Sequence, residues 1–459
     1  MKELEKRGVA TVALVSDDFV HDHRRTAETM GMPELPFARI GDPLVSLPAE
    51  AIWKLIDRAI EGIIEALVTA PTAAATSSLP TVTGSWLTFE GADQLAALKN
   101  MNEQFLEWQI GDGLPLVPPT REALAAMLAG TTRDSGEVLG VFDPGLGIAT
   151  VEKVAINAVL AGCLPQHLPI VIAAVECMVD HEMNLREKAI STGPAAPMII
   201  VNGPARHLAG LNTGICMLGP GAPSRANTAI GRALRLCMMN IGMTYPAISD
   251  MDTIGSPMKY GMCLAENEER SPYGPYHVDV GLAAQDSSVT VGFVYGQVDL
   301  ADYQSLTPES AISKWATGPK YMGVPSTGFW LVGHRSNPLH GNQEKEHHYL
   351  VLSVPHARMF QKAGWTKRDI QVATHREARH PFSYLSSRQE DEAIKSAHPD
   401  LSWLWDSPDA LVPVLEDESC YDIIVAGSPG SNRSTFMWGM GGPHTKQILQ
   451  ADLQLQPKS

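Results

Sequence analysis

The strongest constellation of chemically useful side chains runs from Asn202 to Arg235. Asn202-Gly-Pro leads to Leu211-Asn-Thr-Gly-Ile-Cys-Met-Leu, then a Gly/Pro-rich loop at 219–223, a polar Ser224 and an apolar-periodic helix from about 226 to 241. Uncovered N–H groups at a helix start, together with the helix dipole, attract phosphate or carboxylate. Arg225, Thr228 and Arg232 share one face of that helix, since seven residues return to nearly the same angle and three lie within about 60°. Arg235 extends the stripe, and arginine offers bidentate geometry to an oxyanion. With Asn202, Asn212, Ser224 and Asn227 as neutral partners, the pattern predicts an anion clamp. The alternative is a tight turn whose arginines pair with an acidic surface. Cys216 lies in the loop before the helix start, a place that lowers a thiol pKa and exposes the thiolate; a packed cysteine is the plainer reading.

Three further sets follow. Glu266, Asn267, Glu268 and Glu269 precede His277, and carboxylates beside a histidine serve as general acid and base or hold a divalent ion. Glu266 and His277 join Cys216 as the catalytic candidates, against the alternative of a solvated charge run. The segment Gly427-Ser-Pro-Gly-Ser-Asn-Arg-Ser434 follows an apolar run and places backbone donors at a sheet edge, so Ser428 and Ser431 are candidates for a second anion loop. His334, His340, His347, His348 and His356 are dense but carry no metal-ligand spacing, and adjacent His347 and His348 point to opposite faces of a strand. One of these histidines is a candidate general base, and no metal site is expected. The Walker lysine, the dinucleotide fingerprint and the G-x-S-x-G elbow are all missing, so no cofactor is named.

These residues need elements to hold them. The first segment reads strand at Val9–Val15, helix from Asp17-Asp18 to about Met30, strand at Pro36–Ile40 and helix at Pro48–Leu67, with Ile52, Leu55, Ile56, Ala59, Ile63 and Leu67 at helical spacing. Two strands and two helices make half of a doubly wound unit, over about 1–70. Small and polar residues at 71–84 read as a linker. From 85 to 459 the pattern predicts a larger multi-layer α/β domain. Its helices fall at 92–108, 120–129, 151–161 and 169–179, and its strands at 198–201, 289–295, 329–332, 350–354 and 423–426. No internal repeat of fixed period is visible. The fold class is therefore α/β, a partial doubly wound N-terminal unit plus that larger domain.

Composition bounds the function. The chain has 459 residues, 44% hydrophobic and 19% charged, with a net charge of −16, which is globular and unsuited to nucleic-acid backbones. No apolar run approaches the roughly 20 residues of a membrane span, and no secretory signal opens the chain, so a cytoplasmic location is expected. The six cysteines, at 163, 177, 216, 237, 263 and 420, form no CxxC pair, which argues against a metal ribbon or disulfide scaffold.

ELEKRGVATVALVSDDF and ETMGMPELPFARI, within residues 2–68, resemble the C-terminal part of the UGSC-type (seleno)protein family, named for a selenocysteine- or cysteine-Gly-Ser-Cys motif. Residues 106–377 resemble a large, poorly characterised family associated with it, through GDGLPLVPPT (111–120), TVEKVAINAVLAGC (150–163), AAPMIIVNGP (195–204), RANTAIGRALRL (225–236), AENEERSP (265–272) and HARMFQKAGWTKRDI (356–370). The first resemblance implies thiol- or selenol-linked redox chemistry. Because the sequence begins downstream of where that motif would lie, the N-terminal unit is read as truncated, its redox centre supplied by a partner or lost. The resulting expectation is an oxidoreductase-like enzyme on a small anionic, organic-acid or sulfur-containing metabolite. The alternatives are a lyase or hydrolase using acid–base residues, and a non-catalytic scaffold for a UGSC-type partner; a homo-oligomer is also open.

Overall fold

The computed structural model describes residues 2–5, 7–29, 31–41, 47, 49–69, 86–322, 326–327, 330–331, 345–385, 399–430 and 432–455. The chain forms two compact units, Met1–Ile110 with Met243–Met251, and Gly111–Gly242 with Asp252–Ser459. The linker expected at 71–84 lies outside the described residues. No helix among them is long and apolar enough to cross a membrane.

In the first unit β1 (Ala13–Ser16) and β2 (Phe37–Gly41) pair in parallel. The helix Val20–Thr29 crosses between them and Ala49–Val68 follows, so the strand–helix–strand–helix order holds. The long helix buries Ala59 and half-buries Ile52, Leu55, Ile56 and Ile63, while Trp53, Ile60 and Ile64 stay exposed on it. The helix Gln94–Glu107 also falls in this unit, although the sequence groups it with the larger domain. Asp93 caps it by accepting from Ala96 N at 2.8 Å, the usual way to satisfy a helix-start N–H.

The second unit places the helix Arg121–Leu128 before the hairpin of β3 (Val138–Phe142) and β4 (Gly147–Thr150). Its centre is a six-stranded mixed sheet of β5 (Ala196–Asn202), β6 (Met262–Ala265), β7 (Ser288–Ala301), β8 (His348–Leu352), β11 (Tyr421–Val425) and β12 (Arg433–Gln447). The short strands β9 (Arg379–Pro381) and β10 (Leu411–Pro413) pair separately. The sheet order β11-β8-β12-β7-β5-β6 contains a duplication. β5 pairs parallel with β6 and antiparallel with β7; β8 pairs parallel with β11 and antiparallel with β12. The two third strands, β7 and β12, then pair antiparallel at the centre. Matching bonds mark matching positions: Glu266 N donates to Val201 O, and Ala426 N donates to Leu352 O. Each first strand also runs into a proline-started helix, at Gly203-Pro204 and Val354-Pro355.

The sheet curls until its edges touch. Asn267 N, just past β6, donates to Val425 O of β11 at 2.8 Å, and Val425 N donates to Glu266 Oε1 at 3.1 Å. The enclosed core takes alternate residues from all six strands, among them Met198, Leu264, Val294, Tyr349, Ile424 and Met437. Helices pack on the outside; Phe360, Ile370 and Trp315 cover β8, β11 and β12. Strands buried on both faces read as continuous apolar runs rather than alternations, which is why β5 and β11 are legible in sequence. The expected strand at 329–332 lies partly outside the described residues, and its described members, Trp330 and Leu331, have helical backbone.

Candidate functional site

The loop before the Arg225–Asn240 helix is built from the residues expected to bind an anion. Asn212 Nδ2 donates to Ile215 O and Ser224 Oγ, and Ser224 Oγ donates to Cys216 O. Asn227 donates to Asn212 O and Cys263 O while its Oδ1 accepts from Asn212 N. Asn212, Ser224 and Asn227 therefore spend their polar atoms shaping the loop. Arg232 is held by Asp112, at 2.7 and 2.8 Å, and donates to Leu114 O and Pro115 O, so it pins the Gly111–Pro115 turn. Arg225 is exposed, and Arg235 is buried. The structure thus does not gather the arginines into one open pocket.

Asn202 and Glu266 do meet. Asn202, last in β5, donates to Glu266 Oε2 at 2.7 Å and to Glu268 Oε1 at 3.1 Å. Glu266 also accepts from Tyr276 N at 2.7 Å and from Val425 N, and it is fully buried. Burial pushes its carboxyl pKa up, against the attraction of Lys367 and the backbone and Asn202 hydrogen bonds. The rest of the acidic run is paired with Arg206, which is 3% exposed and reaches Glu268 at 2.8 Å, Glu269 at 2.9 Å and the carbonyls of Gly203 and Glu266. Arg206 holds the Glu269 carboxyl well below the usual range, at about 2. His277 is buried and bonded to Ala283 O at 3.1 Å, and no hydrogen bond joins it to Glu266.

Where the two sheet edges part beside that contact, a cavity of about 560 Å³ opens. Its wall carries an acid–base array. His347, one residue ahead of β8, has Nδ1 at 2.9 Å from Asp422 Oδ2, and Asp422 Oδ1 accepts from Tyr276 OH at 3.0 Å. Asp422 is nearly buried, with its side chain 9% exposed, and His347 is 22% exposed. Burial and the neighbouring Asp422 charge push the Tyr276 phenol well above its ordinary value, so it remains a donor. A carboxylate held on both oxygens fixes the imidazole's tautomer and stabilises the imidazolium that forms when the ring takes a proton. Lys367 and Arg368, the first residues of the Lys367–Glu377 helix, also line the cavity. Sequence reading includes His347 in the histidine set but misses Asp422 and Tyr276. They stand 75 and 71 residues from it in sequence, and only the curled sheet joins them.

The remaining candidates lie elsewhere. Cys216 is exposed, with φ +52°, and lines a smaller pocket of about 270 Å³ with Gly219, Gly427, Ser428 and Arg433. The two glycine-rich loops therefore converge, and Gly427 N donates to Thr213 O. Arg433 pairs with Asp299 at 2.5 Å, and the Cys216 thiol has no hydrogen-bond partner among the described residues. The other five cysteines are buried, and burial pushes their thiol pKa values up. Ser431, His334 and His340 lie outside the described residues. His348 and His356 are buried and bonded to Ser326 and to Ser434 with Asp302 O. Among the described residues Asp180, Glu182 and His444 bring potential metal-ligand atoms within 4.8 Å of one another, but Lys446 already occupies Asp180 at 2.6 Å.

Residues 3–69 match the model of the UGSC family, which makes the first β–α–β–α segment UGSC-type. No curated protein matches the chain, and no solved structure matches it.

Proposed function

We propose that this protein is an enzyme whose active site is the cavity at the sheet seam. His347 is its general acid–base, Asp422 positions the ring, and the substrate is a small polar metabolite. The observation that carries the reading is the Tyr276–Asp422–His347 hydrogen-bond array on the wall of a cavity of about 560 Å³, within the usual size range of small-molecule sites. Asp422 holds Nδ1, so Nε2 is the atom through which the ring takes a proton from a C–H or O–H and returns it at a second atom. That is the step shared by isomerases, hydratases and lyases. Thiol redox chemistry is the second reading, favoured by Cys216 being the exposed cysteine of the six and by the UGSC match at 3–69.

Proton exchange tests both. The full chain is incubated in D2O with oxo acids, hydroxy acids and amino acids, and deuterium incorporation next to the carbonyl or carboxyl carbon is followed by NMR. His347→Gln is expected to slow exchange by about 10²-fold or more, the usual contribution of a positioned acid–base group, and Cys216→Ser to leave it unchanged. Exchange that survives in His347→Gln, or disappears in Cys216→Ser, refutes the acid–base assignment.

A further inference from the structure

The charges around the seam cavity restrict what it can hold. The cations that reach it, Lys367 and Arg368, are already matched. Lys367 Nζ lies 2.6 Å from Asp279 Oδ2, and Arg368 is paired with Glu418. Asp422 is the surplus carboxylate, bonded to Tyr276 and His347. Behind the wall, Glu266 is bonded to backbone N–H groups and Asn202. The fixed charge at the cavity is therefore balanced or negative before any ligand arrives, in a protein whose net charge is −16.

A purely anionic ligand on Lys367 brings a second negative charge to a cation that already carries Asp279, on a wall that also holds Asp422. Placing like charges together without compensation is unfavourable, and more so as the site is closed to water. A molecule with a carboxylate and an ammonium a few bonds apart meets no such penalty. Its carboxylate takes the place of Asp279 on Lys367, with Arg368 near by, and its ammonium takes the place of Lys367 on Asp279. Each charge keeps a partner throughout, and the ligand exchanges one ion pair for two. Lys367 suits the exchange, since its side chain is 13% exposed while that of Asp279 is 44% exposed and able to turn.

We propose that the cavity binds a small zwitterion of the amino-acid class, recognised jointly by Lys367 and Asp279. The proposal rests on taking the seam cavity as the active site, and it replaces a simple anion as the ligand. The standard α-amino acids are screened against the full chain by ligand-observed NMR. The tightest is then compared by calorimetry with its des-amino acid and with its decarboxylated amine. The zwitterion is expected to bind about tenfold tighter or better than either fragment, a difference of about 1.4 kcal/mol. Asp279→Asn should weaken the zwitterion and the amine but not the acid, and Lys367→Met the zwitterion and the acid but not the amine. Equal binding of the des-amino acid, or no amino acid binding in the millimolar range, overturns the proposal. His347→Gln separates the two ideas. Preference for the zwitterion should persist in it, because recognition does not use the imidazole. If it persists and proton exchange persists too, the acid–base reading alone fails; if a des-amino acid is the molecule bound and exchanged, the zwitterion alone fails.

Discussion

Replacing Glu266 by glutamine keeps the side chain's shape and removes one acceptor from a contact that joins two sheet edges. In the native protein one carboxyl oxygen accepts from Asn202 Nδ2 and Tyr276 N, each at 2.7 Å, and the other accepts from Val425 N at 3.1 Å. A glutamine offers one acceptor oxygen and one NH2. In its better orientation the oxygen faces Asn202 and Tyr276, and the NH2 meets the Val425 N–H, donor against donor. A buried N–H left without a partner costs about 1–3 kcal/mol. Part of that is offset, because burial already disfavours the charged carboxylate and pushes its pKa up, so a neutral side chain is easier to bury. The net expectation is a loss of roughly 1–2 kcal/mol local to the seam, which is about a 5- to 30-fold change in an opening equilibrium. Hydrogen exchange read by mass spectrometry reports this directly, through faster exchange in peptides covering 421–427 and 273–278 and little change in the Arg225–Asn240 helix. Glu266→Ala, which removes all the acceptors, should open the seam further. Unchanged or slower exchange at the seam in Glu266→Gln, or an alanine variant no worse than the glutamine one, refutes the idea that this side chain closes the sheet.

Acid should destabilise the second unit through histidines buried in their neutral form. Burial lowers His348 to about 3 and His167 to about 4, and His167 Nδ1 accepts a hydrogen bond from Leu164 N, which the protonated ring cannot do. The unfolded chain takes up these protons near pH 6.5, before the folded one. The stabilisation is therefore complete above pH 6.5 and lost as pH falls towards 4 and then 3, at about 2 kcal/mol per histidine by pH 5. Thermal unfolding followed from pH 7 to 5 should show the fall, with a shallower slope in His348→Gln; a slope unchanged by that substitution contradicts the assignment. Gly231→Ala should cost about 2–3 kcal/mol, because a Cβ there meets Met262 N at 2.5 Å and the Gly261 carbonyl carbon at 2.9 Å, both backbone atoms of the segment entering β6. Gly274→Ala, with nothing within 4 Å of its Cβ, is the control that should leave the melting temperature in place.

What the sequence shows and hides follows from range. The first β–α–β–α segment, the buried helices near 151 and 168 and strands β5 and β11 are legible because each is specified by its own apolar pattern. β12 is not, since Gly439, Gly441, Gly442 and Pro443 read as breakers. In the folded chain they sit at bulges between Trp438 and Gly439 and between Met440 and His444, and a Cβ on Gly439 would meet His347 O at 2.3 Å. The glycines therefore permit a strand to bend where a turn is the local reading. The same limit applies to the site. The 202–236 loop looks reactive because its polar residues are close in sequence, yet closeness lets them bond one another, as Asn212, Ser224 and Asn227 do. Arg206, about 60 residues upstream of the acidic run, gives no local sign that it pairs with Glu268 and Glu269.

The duplication in the sheet explains why the acid–base array stands at the seam. Asp422 of β11 pairs with Tyr349 of β8 in the place where Met262 of β6 pairs with Met198 of β5. Glu266 holds the position matched by Ala426, as their bonds to Val201 O and Leu352 O require. Equivalent positions along the two outer edges have thus become apolar in one half and ionisable in the other. Those edges are where a curled sheet has unpaired backbone groups to satisfy, which Glu266 does for Val425. They are also where a cavity opens without breaking a strand ladder. Tyr276 comes from the segment after β6, while His347 and Asp422 come from the second half. The array is complete only when the edges are closed, so the clamp at Glu266 and the proton chemistry assigned to His347 belong to one construction. A variant that opens the seam should lose the chemistry even with His347, Asp422 and Tyr276 intact.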